Sequence, residues 1–428
     1  MSKSHGFATR AIHAGARPEP ITGARQTPIF QNTSYVFEDV DHAASLFNLQ
    51  TYGFIYSRLT NPTVAVLEER LANLEGGRGA TCTASGHAAQ QLALFPFMEP
   101  GAKFVASTRL YGGSITQFGK SFKKFGWDAR FVDTTDLAAV RAAMTPDIRA
   151  LFVESLANPG GVVSDLAALA EIARAAKALL IVDNTLATPA LCRPFDWGAD
   201  LVVHSLTKFL SGSGASMGGA VIDSGKVDWH QSDKFKGLTA PDPAYQGISF
   251  AETFGDLAYT THAHAVGLRD LGATLAPMNA FLTLLGLETL PLRMERHCAN
   301  AAHVATYLAK HPKVAWVSYA GLPDSPYRAL ADKYLAGKGG AVFTFGLKGG
   351  FDAGVKLVEG VELFSHLANI GDTRSLILHP ASTTHRQLTD EQRAAAGAGP
   401  DVVRLSIGLE TVEDLIADLD QALNKADT

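Results

Sequence analysis

The chain has 428 residues, of which 46% are hydrophobic and 18% charged, as in an ordinary globular protein long enough for two domains. Its net charge of -5 and its lack of a long Lys or Arg run argue against nucleic-acid binding. The sequence has no run of about 18 apolar residues and no apolar signal segment near its start, so we expect a cytoplasmic protein with no membrane contact.

Cysteine and histidine spacing argues against a metal centre. The three cysteines are scattered and odd in number, which favours neither a disulfide framework nor a zinc site. The pairs His262/His264 and His379/His385 lack a cysteine or carboxylate partner at metal-ligand spacing. We therefore expect no bound metal.

Residues 1–60 are expected to form an N-terminal arm. They show little periodicity, and several prolines and glycines interrupt any regular element. The arm leads into a segment, residues 52–62, that places aromatic side chains around Arg58. Pro62 can begin the helix that follows, in which apolar residues recur at helical spacing over residues 64–74.

Residues 61–270 alternate strand-like and helix-like segments. Strands are predicted at residues 103–107, 129–133, 151–155, 179–184, 200–204 and 219–223. Helices are predicted at residues 86–97, 114–125, 137–144 and 166–178. Short buried strands separated by helices predict an α/β domain, with a mainly parallel sheet and helices on both faces.

The remainder of the chain predicts a smaller α+β domain over residues 271–428. Its expected helices are residues 277–285, 292–308, 355–363 and 411 onward, with strands at 341–347 and 402–407. An aromatic-rich segment, residues 226–265, precedes this domain. It could serve as a lid or an interface element, or it could be a surface excursion that packs its own small cluster.

Polar residues follow the predicted strands at their carboxyl ends, where open α/β sheets bind ligands. They are Tyr111, Glu154, Asn158, Asp183, Ser205, Thr207 and Lys208. Partial burial would lower the pKa of a lysine at such a position and make its free amine a nucleophile. A lone lysine after a strand is usually solvated, so the surrounding groups matter.

The surrounding groups fit one cofactor. Ser85, Gly86 and His87 stand at a predicted helix start, where free N–H groups favour a phosphate, and nearby hydroxyls and Arg58 could add to it. Asp183 would need a cationic partner if buried, and Tyr111 offers a flat face. With a reactive lysine, these are the parts that pyridoxal 5'-phosphate (PLP) requires.

Five motifs carry a resemblance that runs over essentially the whole chain. They are residues 56–62 (YSRLTNP), 84–87 (ASGH), 183–185 (DNT), 203–208 (VHSLTK) and 379–385 (HPASTTH). The sequence resembles the Cys/Met-metabolism family of PLP-dependent enzymes, the cystathionine γ-synthase-like group of fold type I. Its fold is therefore expected to be of the fold type I PLP-dependent transferase type.

The resemblance implies a role for each matching position around the cofactor ring. Lys208 is similar to the lysine that bonds covalently to PLP, and Asp183 to the partner of the pyridinium nitrogen. Tyr111 resembles the tyrosine stacked on the ring, and Asn158 the residue bonded to the phenolic oxygen. Phosphate-binding positions are also implied, at Ser85, Gly86, His87, Ser205 and Thr207.

The family commonly has methionine where His87 stands, but a backbone contact is expected there, so the departure should be tolerated. Tyr56 and Arg58 match residues that family members donate to the phosphate of a neighbouring subunit, which implies at least a dimer and usually a homotetramer. Arg404 resembles the arginine that clamps the substrate α-carboxylate, a bidentate task that lysine performs poorly.

Within the family, residues 369–372 (NIGD) resemble the O-acetylhomoserine sulfhydrylase branch, as does the 226–265 segment. Gly113 stands where methionine γ-lyases have a cysteine. The expected reaction is γ-replacement on O-acetyl-L-homoserine by sulfide or a small thiol, giving homocysteine or methionine and acetate. Lys208 and Tyr111 are the proton-transfer candidates, and Asn369 and Arg404 the substrate-binding ones.

Alternatives remain open within and outside this branch. A PLP-dependent γ-lyase or γ-synthase could act on methionine, cystathionine or O-succinylhomoserine, and the sequence fixes neither the acyl group nor the thiol. A nucleotide-binding dehydrogenase is disfavoured because the glycine pair Gly212 and Gly214 lacks the G-x-G-x-x-G spacing. A non-catalytic binding role would require loss of Lys208, Asp183 or Arg404, and all three are present.

Overall fold

The computed structural model describes residues 4–158, 161–384, 386 and 397–425. A seven-stranded sheet has the order β1-β7-β6-β5-β4-β2-β3. Only β7 runs antiparallel to its neighbours, β1 and β6. The strands are β1 Gly79–Thr83, β2 Lys103–Ser107, β3 Asp128–Val132, β4 Ile148–Glu154, β5 Leu179–Asp183, β6 Leu201–Ser205 and β7 Gly219–Asp223. The predicted mainly parallel sheet is therefore confirmed, with β1 an addition that the sequence did not indicate.

Helices precede, connect and follow these strands as far as residue 271. They are α1 Phe7–His13, α2 Val40–Phe47, α3 Pro62–Glu75, α4 Gly86–Leu94, α5 Gly112–Thr116, α6 Leu137–Ala143, α7 Leu166–Ala175, α8 Thr188–Leu191, α9 Lys236–Thr239, α10 Phe250–Phe254, α11 Ala258–His262 and α12 Arg269–Leu271. The predicted helix over residues 114–125 is instead α5, a π-helical turn over Gln117–Ser121 and a 3-10 turn over Phe122–Phe125.

Local signals explain where α3 begins and ends. The side chain of Asn61 accepts the backbone N–H groups of Thr63 and Val64, and Pro62 occupies the first helical position. The helix ends at Gly76, whose φ of 83° lies in the left-handed region that glycine adopts without a side-chain clash. The helix is thus fixed in place just ahead of the sheet.

Each face of the sheet carries its own apolar layer, because side chains alternate along a strand. In β5, Leu180 and Val182 pack in one cluster with residues of α3 and α7. Ile181, between them, packs in the other cluster with Leu92 of α4. Helices therefore cover both faces, as predicted.

The aromatic segment, residues 226–265, belongs to the second of these layers. Trp229, Phe235 and Tyr259 are buried in the same cluster as Phe104 and Phe152 of the sheet. Within the chain, the segment therefore covers one face of the sheet, and does not form a small separate cluster on the surface.

A second, five-stranded sheet follows, in the order β10-β11-β12-β9-β8. Its strands are β8 Val314–Ser318, β9 Val342–Leu347, β10 Ser365–His366, β11 Leu376–Leu378 and β12 Val402–Ser406. The helices of this part are α13 Pro277–Glu288, α14 Leu290–Lys310, α15 Arg328–Tyr334, α16 Gly350–Gly360 and α17 Val412–Lys425. Leu284 and Met294 lie in one apolar cluster with Leu206 and Phe209, so the core is continuous between the two sheets.

The expectation of an arm without regular elements is wrong at two places, α1 and α2. In α1, Ala11 is fully buried in the core, and the Arg10 guanidinium donates to the Asn73 carbonyl oxygen at 2.6 Å. Further along, the side chains of Val36 and Val40 are largely exposed, and Val40 begins α2. The first helix thus belongs to the core of its own chain.

Within the described residues, no helix is long and apolar enough to cross a membrane. In the same part of the chain, no three His, Cys, Asp or Glu side chains converge as a metal site would require. Cys82, Cys192 and Cys298 are all unpaired and buried.

Candidate active site

A cleft with about 950 Å³ of empty space, including its open mouth, lies at the carboxyl ends of the central strands. Both parts of the chain contribute to its walls. It is lined by Ser85, Gly86, His87, Gln90, Tyr111, Ser114, Glu154, Leu156, Asn158, Asp183, Thr185, Leu186, Ser205, Thr207, Lys208, Met217, Ala368, Asn369, Ile370 and Arg404. Every predicted site residue except Tyr56 and Arg58 is among them.

Lys208 lies in the turn after β6 and reaches into this cleft. Its Nζ donates to Oδ1 of Asn369 at 2.5 Å. Burial, and secondarily the positive charge of Arg404, lower the pKa of Lys208 to about 8. With this pKa, roughly a tenth of the amine is neutral, and so nucleophilic, at pH 7.

Asp183 ends β5 and is nearly buried, with three donors holding its carboxylate. Its Oδ1 accepts the Thr185 backbone N–H at 3.0 Å and the Thr185 hydroxyl at 2.5 Å, and its Oδ2 accepts an N–H of Gln90 at 3.3 Å. Three donors thus hold this carboxylate in place at the cleft, where it can pair with a cationic ligand atom.

The amino end of α4 faces the end of β6 at very close range. Ser85 caps the helix by accepting the Ala88 N–H at 3.2 Å. A Cβ on Gly86 would lie 2.8 Å from the Ser205 Cβ, so only glycine fits there. The first free N–H groups of α4 and the hydroxyl groups of the β6 turn therefore border one small space, which suits an anion.

Tyr111 stands at the start of α5 with its side chain about half exposed at the cleft. Its ring centre lies 6.0 Å from that of His87, with the planes tilted by 37°. A Cβ on Gly113 would lie 2.4 Å from Cε1 of Tyr111. Glycine at 113 is therefore required for the position that this ring occupies.

Arg404, on β12, closes the cleft from the second sheet. Its Nη2 donates to the Asn369 carbonyl oxygen at 3.1 Å, and its Nη1 lies 3.5 Å from Oδ1 of Asn158. Burial lowers the pKa of Arg404 to about 10, so the guanidinium stays charged at neutral pH. Asn369 thus contacts both cations of the site, through its side chain and its carbonyl group.

The sequence matches the family described as "Cys/Met metabolism PLP-dependent enzyme" over residues 8–424. The chain belongs to this family. It is 50% identical to O-acetyl-L-homoserine sulfhydrylase 1 of Thermus thermophilus, covering 97% of this chain and 99% of that one. It is 46% identical to homocysteine synthase of Schizosaccharomyces pombe, covering 99% of both.

A solved structure from Campylobacter jejuni superposes with a TM-score of 0.95 and 41% identity, covering 98% of this chain and 100% of that one. It is described as a putative O-acetylhomoserine (thiol)-lyase and contains N'-pyridoxyl-lysine-5'-monophosphate. The resemblance stated from the motifs, the fold type and the cofactor PLP are therefore confirmed.

The residues of the cleft fit this cofactor. A partly neutral lysine amine can bond to the aldehyde, and Asp183 can pair with the ring nitrogen. Tyr111 can form an aromatic wall, and the amino end of α4 can hold a phosphate. The aldehyde, the ring nitrogen, the ring face and the phosphate of PLP therefore each have a suitable counterpart in this PLP-family chain.

Tyr56 and Arg58 do not reach the cleft of their own chain. The Arg58 guanidinium lies 5.5 Å from the centre of the Tyr56 ring and donates to the carbonyl oxygen of Arg269. Tyr56 is 41% exposed. The assignment of these two residues to a neighbouring subunit's site remains a prediction. His385, the last residue of the fifth motif, lies outside the described residues.

Gln90, Thr185 and Glu154 also line the cleft, but the sequence did not assign them a role in it. Gln90 carried a usable signal, since it stands one helical turn after Gly86 in α4 and so shares its face. Thr185 stood within a quoted motif but received no role, although its hydroxyl accepts the Ser205 N–H at 2.8 Å and donates to Asp183. Glu154 was noted only as a polar residue after a strand.

Proposed function

We propose that the protein catalyses PLP-dependent γ-replacement on O-acetyl-L-homoserine, with sulfide or a small thiol as the acceptor and acetate as the leaving group. The products are homocysteine or methionine. The observation that carries the proposal is the partly neutral amine of Lys208 in one cleft with Asp183 and Arg404. The names of the full-length relatives support this choice of substrate.

PLP, when bound, withdraws electrons from the substrate so that its Cα and Cβ protons become removable. Lys208, once neutral, takes and returns these protons, and Tyr111 at the mouth of the cleft is the second candidate for proton transfer. Three donors fix the carboxylate of Asp183 in place, and it would pair with the positive ring nitrogen of the cofactor.

The substrate is proposed to bind to residues on the side of the cleft that the second sheet forms. Arg404 presents a charged guanidinium fork that suits a carboxylate, and Asn369 keeps that fork in place through its carbonyl oxygen. Asn369 also holds the Lys208 amine at 2.5 Å, so one residue sets the distance between the carboxylate site and the proton-transfer group. We assign Asn369 and Arg404 to substrate binding on this basis.

The working form is proposed to be a homotetramer in the cytoplasm, with a PLP-binding part over residues 61–270 and a smaller part over residues 271–428. Exposed Tyr56, and Arg58 placed outside the cleft of its own chain, support donation of both to the phosphate site of a neighbouring subunit. Residues 1–60 would then complete the neighbour's site while α1 remains in the core of its own chain.

Lys208→Ala tests the centre of the proposal. The purified wild-type protein should show the visible absorbance of lysine-bound PLP, and borohydride should fix the cofactor on Lys208, as peptide mass analysis would detect. The variant should lose the tag and turnover together. Retained γ-replacement activity in the variant would refute the assignment.

The substrate pair is tested by combining O-acetyl- and O-succinyl-L-homoserine with sulfide and methanethiol in steady-state assays. Homocysteine or methionine formed from the acetyl ester, with acetate released in equal amount, is the expected result. α-Ketobutyrate formed from methionine or cystathionine without added thiol would favour a γ-lyase instead.

A further inference from the structure

Glu154 is a buried carboxylate of the cleft to which the reaction assigns no step. It is the last residue of β4 and lies directly beside Asp183, the last residue of the neighbouring strand β5. Only 4% of it is exposed, and it lines the cavity. Two carboxylates thus stand side by side in the wall of the cleft.

The two oxygens of Glu154 hold two separate loops. Oε1 accepts the backbone N–H of Tyr111 at 2.7 Å, and Oε2 accepts the backbone N–H of Asn158 at 3.0 Å. Tyr111 follows β2 and Asn158 follows β4, so the carboxylate joins loops that start from adjacent strands. These loops carry the aromatic wall of the site and the proposed partner of the cofactor's phenolic oxygen.

A carboxylate in this position is unfavourable by itself. Burial, and then the nearby charge of Asp183, raise the pKa of Glu154 above its usual range, and its hydrogen-bonding partners in the described chain are backbone N–H groups. A glutamine has one acceptor oxygen and would turn its NH₂ group toward the other N–H. Of these two side chains, only glutamate can satisfy both loops at once.

The connection extends to the substrate side. Oδ1 of Asn158 lies 3.5 Å from Nη1 of Arg404. Tyr111, Glu154, Asn158 and Arg404 therefore form a continuous series of contacts from the aromatic wall to the proposed carboxylate clamp. A displacement of the Tyr111 loop or of the Asn158 loop would change the space between these two loops.

We propose that Glu154 is a positioning residue that fixes the gap between the Tyr111 ring and the Asn158 side chain, and thereby the space in which these two residues would hold PLP. The proposal rests on the proposed function and on the cofactor roles that the family resemblance implies for Tyr111 and Asn158. It does not depend on which acylated homoserine is the substrate.

The test compares Glu154→Gln with a matched control, Asp200→Asn. Asp200 is also a largely enclosed carboxylate that accepts a backbone N–H, from Leu180 at 2.8 Å, and burial raises its pKa to about 6. It lies just before β6, at the opposite end of the same sheet. Each variant loses a carboxylate that accepts a hydrogen bond from a backbone N–H group. Only the Glu154 carboxylate lines the cleft.

The readouts are the visible circular dichroism of bound PLP, the PLP dissociation constant of the apoenzyme, the melting temperature of the apoenzyme, and kcat and KM. Glu154→Gln should keep the borohydride tag on Lys208, lose at least half of the visible dichroism, bind PLP about tenfold more weakly and raise KM, since one of the two backbone hydrogen bonds to the side chain is lost. Asp200→Asn should lower the melting temperature but leave dichroism, affinity and KM within about twofold of wild type.

Wild-type dichroism and PLP affinity in folded Glu154→Gln would overturn the proposal, because only a structural role would remain. If that variant does not fold, Glu154→Asp decides by the same readouts. Its shorter carboxylate should reduce the dichroism, and an unchanged spectrum would again overturn the proposal. If the wild-type protein does not convert O-acetyl-L-homoserine, the substrate assignment is refuted. A loss of dichroism and PLP affinity in Glu154→Gln would still support the positioning role.

Discussion

Replacement of Arg404 by lysine tests the substrate side of the site most directly. The guanidinium lies inside the cleft, and Asn369 holds it through a 3.1 Å hydrogen bond to a carbonyl oxygen. A substrate carboxylate can accept two parallel hydrogen bonds from such a fork, whereas a lysine ammonium offers a single point of charge. The variant therefore loses one charge-assisted hydrogen bond to the substrate.

The size of the effect follows from that lost bond. A hydrogen bond to a charged group contributes about 1.5–3 kcal/mol, and each ~1.4 kcal/mol changes an equilibrium constant tenfold, so KM for O-acetyl-L-homoserine should rise about 10- to 150-fold. Burial already lowers the pKa of Arg404 to about 10. A lysine starts from a lower pKa and would be partly neutral in the same surroundings, which weakens binding further.

Steady-state kinetics with varied O-acetyl-L-homoserine and saturating sulfide give the measurement. The loss should fall mainly on KM, and the PLP dissociation constant should stay within about twofold of wild type. Arg328→Lys is the matched control, because Arg328 pairs with Asp332 on the surface and does not line the cleft. An Arg404→Lys enzyme with wild-type KM would show that this arginine does not bind the substrate carboxylate.

Three further outcomes are expected. The rate at which PLP attaches to the apoenzyme, measured by stopped flow, should rise with pH through about 8 and then level off. The reason is that burial lowers the pKa of Lys208 and only the neutral amine reacts. A midpoint of the pH–rate curve near 10 would contradict the burial of this amine. Gly113→Ala should lower kcat at least tenfold and change the visible dichroism, since its Cβ would lie 2.4 Å from the Tyr111 ring and displace it; an unchanged spectrum and rate would refute the fixed ring position. Arg58→Ala and Lys208→Ala should each be inactive. Oligomers refolded from a mixture of the two variants should regain activity, because some sites would combine an intact Lys208 with a neighbour's intact Arg58. Continued inactivity of the mixture would contradict donation of Arg58 between subunits.

The central strands of the large part were predictable because they are short apolar runs buried on both faces. Leu179–Asp183 and Gly219–Asp223 lie within a residue of their predicted limits. The strand Gly79–Thr83 was not predicted, because its glycine, threonine and cysteine residues form no apolar run. Its position depends on pairing with the distant strand Gly219–Asp223, in the register Gly79↔Asp223. Likewise α1 has only seven residues, which is too short for a stable helix by itself, and tertiary burial of Ala11 decides its position.

The site was predictable where chemistry follows a strand end, as for Asp183 and Lys208. The contacts that hold these site residues in place could not be predicted, because they join positions that are far apart in the sequence. The Lys208 amine meets Asn369, 161 residues further along the chain, and the Glu154 carboxylate meets the Tyr111 amide from another strand. A sequence gives the identity of such groups, but only the packing of the two sheets brings the partners within hydrogen-bonding distance.

The buried positions of the three cysteines have a consequence for an enzyme proposed to work with sulfide. Burial raises the pKa of Cys82, Cys192 and Cys298 above the ordinary thiol range, so their reactive thiolate forms are scarce at neutral pH. Mixed disulfides and persulfides form through a thiolate that the attacking reagent can reach. This protein should therefore tolerate reactive sulfur compounds at concentrations that inactivate enzymes with exposed cysteines.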